Sequence, residues 1–268
     1  MRLRPFSLRT KIILSFLIII IIGGLLSLSF GSRLVKNTLI DQAQAKVKHD
    51  LAAAWMVFNE RRNYVKEIVR LTAERESIKE ATKNNNKDIL FRYLSRVREE
   101  YGLDVLTLID STGIVIVRTR NPDVIGDDQS QDEIIKWVPK RGVLAYPQIV
   151  PREELIKEGK DLADQAYMEF IDTPKAAPRP ENTETSGMML KAASSIVDER
   201  GNYLGILYGG ILLNRNYEIV DRVKETVYKG EKYKGRDKGT ATIFQHDLRI
   251  STNVPNEKGE RAIGTRVS

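Results

Sequence analysis

The sequence predicts an α+β protein. A transmembrane helix at the N-terminus runs on into a long helix, and an antiparallel sheet with helices on one face comes after it. Three observations predict this. Ile12 to Ser32 contains no charged residue. From Arg33 to Lys83 there is neither proline nor glycine, and apolar residues recur mostly three, four or seven apart. Past Leu103 the apolar period shortens to that of strands, with Asp, Asn, Gly and Pro between the runs.

The charge-free segment, IILSFLIIIIIGGLLSLSFGS over 12–32, is long enough at about 1.5 Å per residue to span a hydrocarbon core of about 30 Å. Residues 1–11 hold Arg2, Arg4, Arg9 and Lys11 and no acid. That basic excess predicts a cytoplasmic N-terminus and an extracytoplasmic location for the chain beyond the span. A cleaved signal peptide is the rival. However, the apolar run exceeds the roughly 7–15 residues of a signal sequence, and no A-x-A site succeeds it. The net charge of +7 is concentrated at this end. With no basic helix and no aromatic-interleaved basic stripe, it does not point to nucleic acid. The chain has no cysteine, which excludes disulfides, thiolate catalysis, Cys-based zinc sites and c-type haem attachment.

The long juxtamembrane helix is expected over 33–83. Ile40, Val47, Leu51, Trp55, Phe58, Val65 and Val69 form its apolar stripe, and Glu60-Arg61-Arg62 face away. Roughly fifty helical residues reach about 75 Å, beyond the ~30 Å of one small domain. The helix reads as a coiled-coil stalk or as a spine passing more than one packed unit. His49 lies on it as a solvated or interfacial side chain. Asn84 to Asp88 break the helix and offer caps. A second helix is expected next, with Ile89, Leu90, Tyr93, Leu94, Val97 and Tyr101 on one side.

Val105 to Ile109 and Ile114 to Thr119 are predicted strands around an Asp110–Gly113 turn, and Asn121-Pro122 ends the second. A short helix is expected over Gln131–Val138. Another is expected over Arg152–Met168, with Leu155, Ile156, Leu162, Ala163 and Ala166 inward. A proline-rich loop covers Asp172–Gly187. Two long strands then flank an Asp198–Gly201 turn. Helices, hairpin, helical insertion and hairpin suit a PAS-like sheet, expected over 84–230.

The last stretch, TIFQHDLRISTNVPNEKGERAIGTR, lines up loosely with TLIDSTGIVIVRTRNPDVIGDD. Each has a strand, a polar turn, a strand ending in Asn (Asn253, Asn121) and an Ile-Gly step. A second sheet of the same kind is therefore expected within 231–268, without its closing strands. A lone hairpin is marginal in water, so this one is expected to be weakly packed or mobile. His246-Asp247-Leu248-Arg249 shares letters with a histidine-kinase phospho-acceptor box. The alternating flanks and the missing proline make it a hairpin turn instead.

These stretches, together with KAASSIVDERGNYLGILYGGILLNRNYEIVDRVKETVY, resemble the double Cache extracellular sensor regions of bacterial transmembrane receptors, in their Cache 3–Cache 2 fusion form. The resemblance covers most of the chain beyond residue 33. It implies a long helix rising from the membrane, a membrane-distal unit at 84–230 and a membrane-proximal unit at 231–268. In such receptors a return helix and a HAMP linker lead to a kinase, chemoreceptor or cyclase module. This sequence departs from that pattern by stopping inside the second unit. It is thus expected to be an N-terminal fragment or a truncated product.

The expected function is a membrane-anchored extracytoplasmic sensor region for signal transduction, of chemoreceptor or two-component histidine-kinase type, with the output module absent. The expected partners are a small solute (organic acid, amino acid or amine), the membrane, and a second copy along the long helix. No nucleic acid, metal or cofactor is expected. Candidate ligand residues are Arg118 and Arg120, suited to a carboxylate, with Lys191 and Tyr208 on the closing strands and Tyr146 in a covering loop. Alternation puts both arginines opposite Val117, so a core face built on Val115 and Val117 would leave them solvated. Gly126–Glu133 is acid-rich but lacks calcium-loop spacing, and reads as a solvated helix N-terminus. No phosphate loop, serine elbow or metal-spaced cluster supports an enzyme. The alternatives are an anchored scaffold binding a protein and no solute, and the front end of a sensor histidine kinase.

Overall fold

A computed structural model describes residues 7–174, 176–228, 232–233, 236–237 and 239–267. Arg2, Arg4 and Ser268 lie outside them. Seven helices are described: α1 (Leu8–Ala73), α2 (Glu76–Lys83), α3 (Lys87–Glu100), α4 (Glu133–Arg141), α5 (Arg152–Glu158), α6 (Lys160–Ala166) and α7 (Glu218–Tyr228). The main strands are β1 (Val105–Asp110), β2 (Val115–Arg118) and β3 (Val143–Val150). Two short strands come next, β4 (Met168–Glu169) and β5 (Thr183–Glu184), then the long pair β6 (Gly187–Val197) and β7 (Tyr203–Leu212). The last four are β8 (Lys232–Tyr233), β9 (Arg236–Asp237), β10 (Thr242–Gln245) and β11 (Leu248–Thr252).

The chain divides into two compact units, Met1–Ala52 and Ala53–Ser268. Among the described residues the first is helix from Leu8, part of a helix long and apolar enough to cross a membrane. Its large apolar side chains, from Ile12 through Phe30 to Ile40, Val47 and Leu51, are exposed.

The second unit is built on a five-stranded antiparallel sheet in the order β2-β1-β7-β6-β3. Leu106, Leu108, Val117, Leu190, Ala192, Leu207 and Ile211 form one face. They share a core with Val65 and Val69 of α1, Ile78 of α2, and Leu90 and Leu94 of α3. The other face, with Val105, Ile109, Ile206, Tyr208 and Leu212, packs with α4, α5 and α6 through Ile134, Leu155 and Leu162. Both faces are thus covered, so β6 and β7 read as near-continuous apolar runs.

Three boundaries differ from the sequence reading. The helix expected to Lys83 breaks after Ala73, where Arg75 is extended, and α2 restarts so as to bury Ile78 and Ala81. No proline or glycine marks that break; tertiary packing makes it. The single helix expected over Arg152–Met168 is two, α5 and α6. A Cβ at Gly159 between them would stand 2.7 Å from Arg120 Nε, so glycine lets this elbow sit close against the end of β2. Strand β3 was not expected. It is a half-buried edge strand with Pro147 inside it, where the missing N–H costs no ladder bond and discourages pairing with other chains.

The β10–β11 hairpin is firmly packed, contrary to the expectation of a loose one. Leu248 and Ile250 are buried in the same core as Val57, Met168, Ile219 and Val223. Arg215 N donates to the Ile250 carbonyl at 2.8 Å, and Asn253 Nδ2 donates to the Val220 carbonyl at 3.1 Å. Arg266, 2% exposed, pairs with Asp247 at 2.9 Å and with Asp172 at 2.8 Å, stitching the proline-rich loop to the hairpin. The hairpin lacks a full sheet of its own, but α1, α7 and the 168–173 segment supply its apolar and polar partners. His246 is an exposed turn residue with φ 57°, as expected of a hairpin turn.

Helix α7 also reaches α1. Arg222 pairs with Glu60 at 2.7 Å and Glu218 with Arg61 at 3.1 Å, while Asp221 pairs with Arg261 at 2.8 Å.

Candidate functional site

The candidate site lies on the sheet face covered by α4, α5 and α6. Its position depends on an irregularity in β2. Leu108 pairs with Val117, but Ile109 pairs with Val115, so Ile116 is an extra residue. This bulge moves Val115 onto the face of Ile109 and leaves Val117 opposite. Simple alternation had put Val115 and Val117 together and offered solvation of Arg118 as a consequence. Arg118 is nevertheless 1% exposed, because α4, α5 and α6 cover its face too and Glu158 of α5 meets it there.

Three donors stand side by side there. Thr107 is directly opposite Arg118 on one side and Tyr208 on the other. All three donate to Glu158, the last residue of α5. Thr107 Oγ1 lies 3.1 Å from Oε2. Arg118 Nε lies 3.0 Å and Tyr208 Oη 2.9 Å from Oε1. The rest of the Arg118 guanidinium is bidentate to Asp127, at 2.9 and 3.2 Å, and also donates to the Val124 carbonyl. Gln129 Nε2 and Lys157 Nζ hold Asp127 from its other side, at 2.8 and 3.4 Å.

A second group lies along the same face toward β3. Lys191 Nζ pairs with Asp132 at 2.7 Å and sits 4.5 Å from the Tyr208 ring centroid. Asp132 caps α4, accepting from Ile134 N at 3.0 Å and Ile135 N at 3.3 Å, and takes Gln148 Nε2 at 2.9 Å. Gln148 Oε1 is buried without a hydrogen-bond partner. Tyr146, opposite Lys191 in the register, is half-buried beside it. A buried acceptor without a donor costs about 1–3 kcal/mol, so this end of the face is unsatisfied as it stands.

The electrostatics derive from burial and pairing. Burial pushes the Asp127 carboxyl up, but the hydrogen bonds from Arg118 and Gln129 outweigh it and hold the group at about 2. Burial opposes ionisation of Asp132 too, and the Lys191 ammonium outweighs it, leaving the carboxyl below its ordinary value. Burial and then the Glu158 charge push the Tyr208 hydroxyl well up, so it is a donor at any physiological pH.

Of the five residues expected from sequence, Arg118, Lys191, Tyr208 and Tyr146 share this face. Arg120 does not join the buried group: it pairs with Asp161 of α6 at the surface. Thr107, Asp127, Asp132, Gln148 and Glu158 were missed. Asp127 and Asp132 belong to the acid-rich Gly126–Glu133 stretch, which leads into α4 as expected, but these two acids are paired and largely buried where solvation was expected, because Arg118 and Lys191 draw them onto the sheet. Glu158, in a charged helix end before a glycine, carries no sequence signal of its burial.

Away from this face, a concavity of about 660 Å³ is open between Tyr167, Glu169, Ile171, Arg215, Tyr217 and the 260–264 turn. Its cations are already engaged, Arg215 by the Gln165 and Tyr167 carbonyls and Arg261 by Asp221. Among the described residues no group of His, Asp and Glu could hold a metal ion.

Comparisons with known proteins agree with this architecture. The family model "Single cache domain 3" matches residues 211–268. No curated protein matches the chain. Among solved structures, the periplasmic domain of Vibrio cholerae LuxQ is similar at a TM-score of 0.50 and 15% identity. The match covers 80% of this chain and 82% of that one. The E. coli DcuS sensor domain is similar at a TM-score of 0.40 and 14% identity, over 64% of this chain and 98% of that one. The ligand-binding domain of the Campylobacter jejuni chemoreceptor Tlp3, in complex with 4-methylisoleucine, gives 0.42 and 9%, over 77% and 66%. The fold, mixed α+β with a long N-terminal helix and an antiparallel sheet, is shared with the LuxQ periplasmic domain.

Proposed function

We propose that this chain is the membrane-anchored extracytoplasmic sensor region of a receptor, of double Cache type, and that it binds a small solute between the five-stranded sheet and α4–α6. The observation that carries this reading is the buried polar face itself. Lys191, Asp132 and Tyr146 converge there with an unpartnered Gln148 Oε1, on a largely apolar wall of Val, Ile, Leu, Ala and Met. A few directed polar groups in an apolar wall recognise organic acids, amino acids or amines. Such a module senses and does not catalyse. The basic residues before the apolar span support a cytoplasmic N-terminus. The exposed Val47 and Leu51 support pairing of two copies along the helix. Reception by a chemoreceptor or a two-component kinase fits this arrangement.

The test is thermal unfolding of the purified full chain in nanodiscs against organic acids, amino acids and amines. A saturable rise that Lys191→Gln or Tyr146→Phe removes, with both variants folded by circular dichroism, supports the site. A silent panel, or a rise untouched by both substitutions, overturns it.

A further inference from the structure

The row of donors on β2, β1 and β7 draws a second carboxylate beneath the sheet, beside an arginine that already holds one. Arg118 already has a counter-ion, Asp127, in a bidentate pair. A second carboxylate, Glu158, is nevertheless brought under the sheet, with its side chain 8% exposed. It meets Thr107 Oγ1 at 3.1 Å, Arg118 Nε at 3.0 Å and Tyr208 Oη at 2.9 Å. All three donors come from directly opposed positions on adjacent strands, so rigid sheet geometry sets their spacing. A guanidinium, a hydroxyl and a phenol converging on one carboxylate form a carboxylate receptor, and charge-assisted bonds of this kind are the stronger ones. The occupant is on a different footing from its receptor. Glu158 is the last residue of the seven-residue helix α5 and precedes Gly159 at the α5–α6 elbow. That elbow is held to β2 from outside by the Arg120–Asp161 pair and by Asn121 Nδ2 donating to the Lys157 carbonyl at 3.0 Å.

Resting on the reading of this face as the solute site, we propose that Thr107, Arg118 and Tyr208 form a carboxylate-binding subsite whose resting occupant is the chain's own Glu158. Glu158 is a tethered competitor. A solute carboxylate gains the three donors only when the α5–α6 elbow withdraws Glu158, so occupancy is coupled to movement of that elbow. Because the competitor is intramolecular, its effective concentration is on the order of millimolar or higher, and weak monocarboxylates are kept out. Of the elbow's outer ties only Asp161 is exposed, with Arg120 and Asn121 half-buried, whereas the receptor is fixed in the sheet. Movement is thus confined to the occupant's side.

The test uses the full chain in nanodiscs, with propionate as the probe and propionamide as its uncharged control. Binding is read by saturation-transfer NMR and by thermal unfolding. Glu158→Ala is expected to bind propionate at least tenfold more tightly than the wild type, to prefer it over propionamide, and to lose the gain when Tyr208→Phe is added. Equal propionate affinity in wild type and Glu158→Ala overturns the proposal, as does equal affinity for propionamide. Should Glu158→Ala fail to fold, Glu158→Gln keeps the size and the acceptor but removes the charge. A propionate gain there supports the subsite, and none overturns it. A wild type silent to the whole solute panel, beside a variant that responds to propionate, would remove the solute reading and leave the subsite standing.

Discussion

Arg118 holds two carboxylates with one guanidinium, and both depend on it. Replacing it with alanine would leave Glu158 buried with only neutral donors and Asp127 without its bidentate partner. Removing one member of a buried ionic group costs about 3–5 kcal/mol. Arg118→Ala is therefore expected to lower the urea midpoint by a corresponding amount. Asp127 adds a pH signature. Its carboxyl is held at about 2 in the fold, against 3.8 ordinarily. A depressed carboxyl stabilises the fold above the ordinary value, and that contribution is lost as pH falls from about 3.8 toward about 2. Denaturation midpoints over that window should fall more steeply in the wild type than in Asp127→Asn; parallel curves would contradict this. At this scale the sequence shows the cations better than their partners. Arg118 and Lys191 stand out because strands seldom bury such residues. Glu158 looks like any glutamate at a solvated helix end, since only its contacts across the sheet distinguish it.

At the scale of elements, period and turn chemistry make most strands and helices legible. The misses fall where tertiary contact overrides them. Strand β3 is half-buried on both sides and contains Pro147, so neither alternation nor propensity marks it. The break before α2 has no local signal at all. The bulge at Ile116 is invisible to a count of alternating residues, yet it decides which face Val115 joins. The hairpin makes the same point in reverse. Read alone it lacks a sheet, whereas the folded chain gives Ile250 complete burial beside Val57 and Val223. Ile250→Ala is expected to cost about 2–5 kcal/mol. Amides of Leu248–Thr252 should exchange with deuterium as slowly as those of β6 and β7; exchange within seconds would contradict the packing.

At the scale of the whole molecule, the absence of cysteine from the sequence makes sidedness directly measurable. Glu199 lies in the exposed turn between β6 and β7, and Ser7 precedes the apolar span. In intact cells a membrane-impermeant maleimide should label Glu199→Cys and spare Ser7→Cys until the cells are opened. The reverse pattern would invert the proposed topology. The class of fold and the long apolar N-terminal helix were both readable from composition and period. Which loops and helices the sheet gathers onto each face was not, because long-range register sets it.

The placement of α7 has a mechanical consequence. Its Arg222 and Glu218 are tied to Glu60 and Arg61 of α1, while its Asp221 is tied to Arg261 beyond the hairpin. Asn253, just past the end of β11, grips the Val220 carbonyl as well. The helix is thus a crossbar bolted at both sides. A load applied to the hairpin reaches α1 through α7, whose Ile219 and Val223 share one core with Ile250 and Val57, the exposed ion pairs adding little to that packing.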